Sequence, residues 1–235
     1  YENTEKIVAI ANNAAGAVGA VMLPRVSNLR ASGSDDKVLS YISKSMKYIM
    51  LIAVALAFGI AGVSKSFSVI YYGKEFERCG TLLMMISPAI VFYAASNILR
   101  NQYLLPKDMD RVFVTATVSA SILNFVLNSI FIPVYGALGA VIGTVGAQFG
   151  ELAYQALKTL PIKKYILYVF PYICFGAIMF FACKRIEKIE GISVVSLITQ
   201  IIVGGIIFLI LVRIYFIITR DELFSSIINK IKKKV

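Results

Sequence analysis

The chain has 235 residues, 58% of them hydrophobic and only 16% charged, against roughly 25% charged in soluble domains. A globule of this size cannot hide that much apolar surface, and a mean hydropathy of +0.78 places the excess in a bilayer. The net charge of +11 comes from basic residues set between apolar runs, so it reads as topology signalling and contact with anionic lipid rather than nucleic-acid binding.

Histidine is absent, which removes the usual general base, proton shuttle and metal ligand together. Cys79, Cys174 and Cys183 show no CxxC spacing and read as small apolar packing residues, so no metal and no cofactor is expected. The first charges, Glu2, Glu5 and Lys6, make no basic n-region, so the start is not a signal peptide. An N-terminal portion is expected to precede Tyr1.

A membrane span needs about 20 mostly apolar residues. Seven stretches qualify in chain order: Ile7 to Leu23, Met46 to Val63, Leu82 to Leu99, Val112 to Ile132, Ala137 to Leu157, Tyr165 to Cys183 and Ile192 to Ile218. The runs are continuous rather than alternating, which argues against a barrel. The short connections fit antiparallel helices. Residues 1–218 therefore read as one helical bundle.

Sorting the basic residues by side puts sixteen on one face and seven on the other, with Arg100 inside a helix. The richer side, with Lys107, Arg111, Lys158, Lys163 and Lys164, is cytoplasmic by the positive-inside rule. The chain then starts outside and ends inside. Tyr71, Tyr72 and Phe76 gather at the outer interface, where aromatic rings settle. Residues 219–235 read as a cytoplasmic, amphipathic basic tail. Thr219 and Glu222 fit a capping box, Leu223, Phe224, Ile227, Ile228 and Ile231 share one face, and lysines follow. Such a segment suits the anionic leaflet surface.

The fifth stretch carries Gly136, Gly139, Gly143, Gly146 and Gly150 along one helical face. Small residues at this spacing let helix backbones approach closely in lipid. A static seam and a sliding one would use the same residues.

Polar side chains inside spans are costly and merit a functional reading. Asn12 and Asn13 lie in the body of the first span, with Lys6 at its outer end. Asn97, Arg100, Asn101 and Gln102 lie near the inner end of the third. Asn124 and Asn128 sit one turn apart on the fourth, and Gln148 and Glu151 on the fifth. Asn124 and Asn128 fit interhelical glue as well as a ligand site. At 1.5 Å rise per residue, Arg100 is about 9 Å from the break at Pro106, and Glu151 about 10 Å from Lys158. The two charges therefore lie at similar depth. They are expected to pair or to face one aqueous cavity, as a structural lock or as a charge pair that opens during transport. No nucleophile–base set is present, and the chain does not read as an enzyme.

Several motifs in order carry a family resemblance. They are YENTEKI at the start, MLPRVSNLRASG at the end of the first helix, Tyr72–Gly73 with Phe76, and Ser87–Pro88. RNQYLLP at Arg100–Pro106 follows, then NFVLNSIFIPVYGALGAVIGTVGAQFGE at Asn124–Glu151. The chain resembles bacterial oligosaccharide (O-antigen type) flippases over essentially its whole length. These are similar to lipid II flippases and to multidrug and toxin extrusion exporters.

The resemblance implies an all-α membrane fold of fourteen helices in two bundles of seven, with both termini cytoplasmic. This chain would be the C-terminal bundle, partnered by an N-terminal one. It implies flipping of an undecaprenyl-pyrophosphate-linked glycan across the inner (cytoplasmic) membrane of a bacterial cell by alternating access. No NTP-binding loop is present, so an ion gradient or the membrane potential would drive the cycle. It also implies a cavity lined in part by the first helix, with Lys6 near the position of a basic residue at its outer end. The substrate-cavity candidates are Lys6, Asn12, Asn13, Asn97, Arg100, Asn124, Asn128 and Glu151. A multidrug exporter, a half-transporter inactive alone, and a membrane glycan polymerase or ligase were weighed beside this. The last needs a large outer loop, and those here are short.

Overall fold

The computed structural model describes residues 1–31, 35–159 and 163–219. Eight α-helices follow in order among them: α1 Glu2–Ala31, α2 Asp35–Tyr72, α3 Glu77–Ile86, α4 Pro88–Leu99, α5 Asp110–Tyr135, α6 Ala137–Lys158, α7 Lys163–Glu190 and α8 Val194–Ile218. Each of the seven apolar stretches falls in or across these helices. By length and composition, five helical segments among the described residues can cross a membrane: 37–72, 74–107, 110–135, 169–190 and 194–218. The stretches in α1 and α6 are richer in polar and small residues. The amphipathic tail expected over 219–235 lies, apart from Thr219, outside the described residues.

The third stretch is not one smooth helix. Pro88 lacks an N–H and starts a new helix at its first turn, where no N–H is needed. The Ser87 hydroxyl donates to the Met84 carbonyl at 2.9 Å, holding the break closed. After α4 the backbone widens into a π turn over Arg100–Leu104 and tightens into a 3₁₀ turn over Leu105–Lys107. Asp108, in the left-handed region at φ 53°, reverses the chain into α5. Between α5 and α6 a single residue turns the chain: Gly136, at φ 58° and ψ −128°, where a side chain would be strained.

The long helix α2 is the hub, touching α1, α3, α4, α7 and α8. One buried cluster joins α1, α2, α3 and α4 around Ile42, Ile49, Leu83, Ile90 and Ile98. A second joins α2 to α7 and α8 around Val54, Tyr172, Phe208 and Phe216. Helix α5 stands at the edge. It packs chiefly on α6, and only Ala116 and Ala120 are buried along it.

That contact is built by the glycines. A Cβ at Gly139 would fall on the Phe131 main chain and one at Gly143 on the Asn128 amide. Cβ atoms at Gly146 and Gly150 would come within 2.7 Å of Leu127 and 2.8 Å of Leu123. Close backbone approach along a small-residue face is therefore how α6 holds α5.

Candidate functional site

Ser96, Asn97, Asn101 and Gln102 are buried on α4 and the π turn, and most of the candidate polar residues flank them. Helix α1 packs on α2, α3, α4 and the π turn; α5 packs on α6 and the π turn. Tyr1, at the start of α1, ties that end across to α6. Its hydroxyl donates to Glu5 at 2.6 Å and lies 2.7 Å from the Thr144 hydroxyl. Burial, helped by the Glu5 hydrogen bond, pushes the Tyr1 phenol up to about 12, so it stays a donor.

Lys6 is exposed and paired with Glu2 one turn before it, at 2.8 Å. The contact holds the Glu2 carboxyl below, and the Lys6 ammonium above, their ordinary values. The ammonium is thus a charge at the rim rather than inside. One to two turns inward, Asn13 is exposed, while Asn12 is half-buried with a carbonyl oxygen that finds no partner among the described residues. At Gly16 a Cβ would sit 3.5 Å from the Tyr93 hydroxyl and 3.9 Å from the Asn97 amide nitrogen. Small residues here let α1 lie close on the polar face of α4.

Asn97 is buried and accepts from the Asn101 amide at 3.0 Å. Arg100 opens the π turn, with its guanidinium 5.2 Å from the centre of the Phe113 ring on α5 and its Nε unpartnered among the described residues. Glu151 accepts from the Thr117 hydroxyl at 3.3 Å and from the Gln155 amide at 3.2 Å. Arg100 and Glu151 are close enough for their charges to attract, but no ion pair joins them. Each is held by a neighbour instead. Of the two arrangements expected for them, the direct pair is not formed.

Asn128 donates to Asn124 at 2.9 Å along α5. The two amides lie at the edge of the α5–α6 seam and are half-buried. Gln148, between them and Glu151, has an unpartnered carbonyl oxygen.

Seven of the eight candidates therefore fall into three groups. Asn12, Asn13 and Asn97 lie at the α1–α4 contact. Arg100 and Glu151 lie near the π turn, where α4, α5 and α6 meet. Asn124 and Asn128 lie on α5, and Lys6 stands apart at the rim. Tyr93, Thr117 and Thr144 join the site without having been singled out in the sequence. Hydroxyls within apolar runs carry no distinctive spacing.

An amide or guanidinium buried without a partner costs roughly 1–3 kcal/mol. Such groups on Asn12, Arg100, Gln102, Asn128, Gln148 and Gln155 lie along this surface. The arrangement has no nucleophile and no base. It can bind polar head groups and water by many weak hydrogen bonds with one guanidinium at hand.

Comparison with known proteins gives the family and the fold. The model of the family described as lipid II flippase MurJ matches residues 15–209. The chain is 26% identical over 144 residues to the probable low-salt glycan biosynthesis flippase Agl15 of Haloferax volcanii, covering 61% of this chain and 30% of that protein. The solved structure of the lipid II flippase MurJ in an inward closed conformation matches with a TM-score of 0.74 at 18% identity. That match covers 91% of this chain and 46% of the other. The chain thus spans less than half the length of either. It is a membrane protein built on the fold of that structure, and it belongs to the lipid II flippase MurJ family, whose members are transporters rather than enzymes.

Proposed function

We propose that the chain is the C-terminal seven-span bundle of a fourteen-helix flippase that moves undecaprenyl-pyrophosphate-linked oligosaccharide repeat units to the outer leaflet, for O-antigen or capsule-type polysaccharide. The observation that carries the reading is the row of buried, unpartnered polar groups along α1, α4, α5 and α6. In lipid each would cost several kcal/mol. Each is covered by protein in this arrangement, and water or a sugar admitted when the helices part would give it a partner.

In this reading α1 and α6 also cross the bilayer, with their polar sides turned to the cavity and to the N-terminal bundle. The basic loops, and the C-terminus, are cytoplasmic. The glycan head group exchanges hydrogen bonds with Asn12, Asn13, Asn97, Asn124 and Asn128, while the lipid tail stays in hydrocarbon. Arg100 meets the phosphates, and Glu151 is the countercharge it meets when the substrate leaves. Rocking of one bundle on the other alternates access. The family match and the glycan flippase named among the relatives support a lipid-linked sugar as cargo.

The test is genetic. The full-length gene is deleted in its host, and surface glycan and lipid-linked repeat units are scored together. Loss of surface glycan with complete repeat units trapped on the inner leaflet is expected. Normal surface glycan with altered sensitivity to cationic drugs would overturn the reading in favour of a multidrug exporter.

A further inference from the structure

The π turn at Arg100–Leu104 stands between two helices that do not pack on one another. Helices α1 and α5 both contact it, and among the described residues they are not themselves a packed pair. At its other end α1 is tied across the bundle by the Tyr1 hydroxyl, 2.7 Å from Thr144 on α6. The π turn is the corresponding bridge at the Pro106 end.

This bridge is not held in α-helical register. The Arg100 N–H is shared between the Ser96 and Asn97 carbonyls. The Leu105 N–H reaches back five residues to Arg100, and the Met109 N–H five residues to Leu104 at 3.0 Å. Pro106 has no N–H to offer the Gln102 carbonyl one turn before it. The 3₁₀ turn and left-handed Asp108 then end the segment. Turns wound wider or tighter than an α-helix often mark hinges.

Gln102, in the middle of the π turn, is fully buried. Neither its amide nitrogen nor its amide oxygen has a partner among the described residues. Ser96 on α4 and Gln155 on α6 are also buried with one oxygen unpartnered. An orphaned amide costs stability that an apolar side chain of the same length does not. A glutamine here therefore weakens the closed turn, and its hydrogen bonds are recovered only where water reaches it.

We propose that the π turn is a gate closing the space between α1 and α5 at its Pro106 end, with the Gln102 side chain as the plug. In the closed turn the amide is shut away without partners. When the turn opens, water and the passing head group solvate it. The identity of the cargo rests on the flippase reading, and naming this end cytoplasmic rests on the topology proposed with it. The hinge and the buried amide rest on neither.

The test uses the full-length protein in nanodiscs, in a background lacking Cys79, Cys174 and Cys183. It carries either Gln102→Cys or Leu104→Cys, both fully buried on the same turn, and meets a small, water-soluble methanethiosulfonate. Gln102→Cys is expected to react several-fold faster. Equal, slow reaction at both positions would mean a turn that stays shut and overturn the gate. Equal, fast reaction would mean a turn loose throughout, with no plug, which overturns it as well. Gln102→Met, similar in length but apolar, is expected to raise the unfolding midpoint by a few degrees and to slow transport several-fold, because it favours the closed turn. A lowered midpoint would mean that the amide has a resident partner such as a bound water, and would contradict the plug. A raised midpoint with wild-type transport would contradict the gate. The thiol comparison decides the matter if Gln102→Met cannot be purified. Thiol rates and midpoints need no glycan, so their failure leaves the flippase reading standing.

Discussion

The side-chain amide of Asn128 occupies the space that a Cβ on Gly143 would need. The α5–α6 seam is thus closed at the point where the polar pair Asn124–Asn128 sits. Overpacking a tight contact costs typically 1–3 kcal/mol. Gly143→Ala should therefore lower the stability of the purified full-length protein by about that amount. Gly205→Ala, where a Cβ meets nothing within 4 Å, should leave it unchanged. Thermal unfolding in detergent separates the two, and equal midpoints would contradict the close seam.

Arg100 and Glu151 make a matched pair of predictions. Glu151→Gln keeps an acceptor for Thr117 and Gln155, so folding should change by less than about 0.5 kcal/mol. Transport should still fall, because losing a charged hydrogen-bonding group costs on the order of 1.5–3 kcal/mol, about tenfold or more in rate. Arg100→Gln should do the same. A glycan-flipping assay in reconstituted vesicles checks this, and wild-type rates in both variants would confine the two charges to a structural role.

An amide also ties α8 to α2. Gln200 is fully buried, and its nitrogen donates to Ser66 and Ser196 at 3.0 Å each. In membranes such interhelical bonds are worth about 0.6 kcal/mol on average and about 1.7 at most. Gln200→Leu should destabilise the protein within that range and leave substrate binding alone, as α8 lies away from the polar site. The unfolding midpoint and a binding isotherm for the lipid-linked glycan measure the two effects.

Beyond the apolar stretches, after Val63 and before Leu82, Lys65 meets Glu77 at 2.7 Å. The hydrogen bond that Lys65 donates to Glu77 raises the Lys65 ammonium above its ordinary value. A raised folded value means that the contribution is fully present below the unfolded pKa and is lost as pH climbs through the folded one. Stability should therefore show no Lys65-dependent change around neutral pH. In alkaline solution the wild type should lose its advantage over Lys65→Gln. Because both groups are well exposed, added salt should shrink the difference at every pH.

Much of the fold was legible because lipid imposes a simple rule. Continuous apolar runs must form helices, and each stretch read from the sequence is helical, the third across two helices. The glycine face of α6 was legible for the same reason, since its spacing follows the helical period. The break at Ser87–Pro88 was present in the sequence as a motif, but its division of one stretch into α3 and α4 was not foreseen. The π turn at Arg100–Leu104 left no signal, because no residue type requires it. Depth along a helix could be counted from Pro106 and Lys158, whereas the direction each side chain takes could not. That is why a direct Arg100–Glu151 pair stood beside a shared cavity as an expectation, while Phe113 and Thr117 hold the two charges.

The central claim is that the polar surface of α1 and α5 faces water and not lipid. It is tested most directly by thiol accessibility in the full-length protein within cells, in a background lacking Cys79, Cys174 and Cys183. Asn13→Cys and Asn124→Cys should react with a membrane-impermeant maleimide and be protected by accumulated lipid-linked glycan. Val126→Cys, on the opposite side of α5 and 44% exposed, should stay unreactive. Modification of Val126→Cys alone, with Asn13→Cys and Asn124→Cys inert, would place lipid where the account puts the cavity and contradict it.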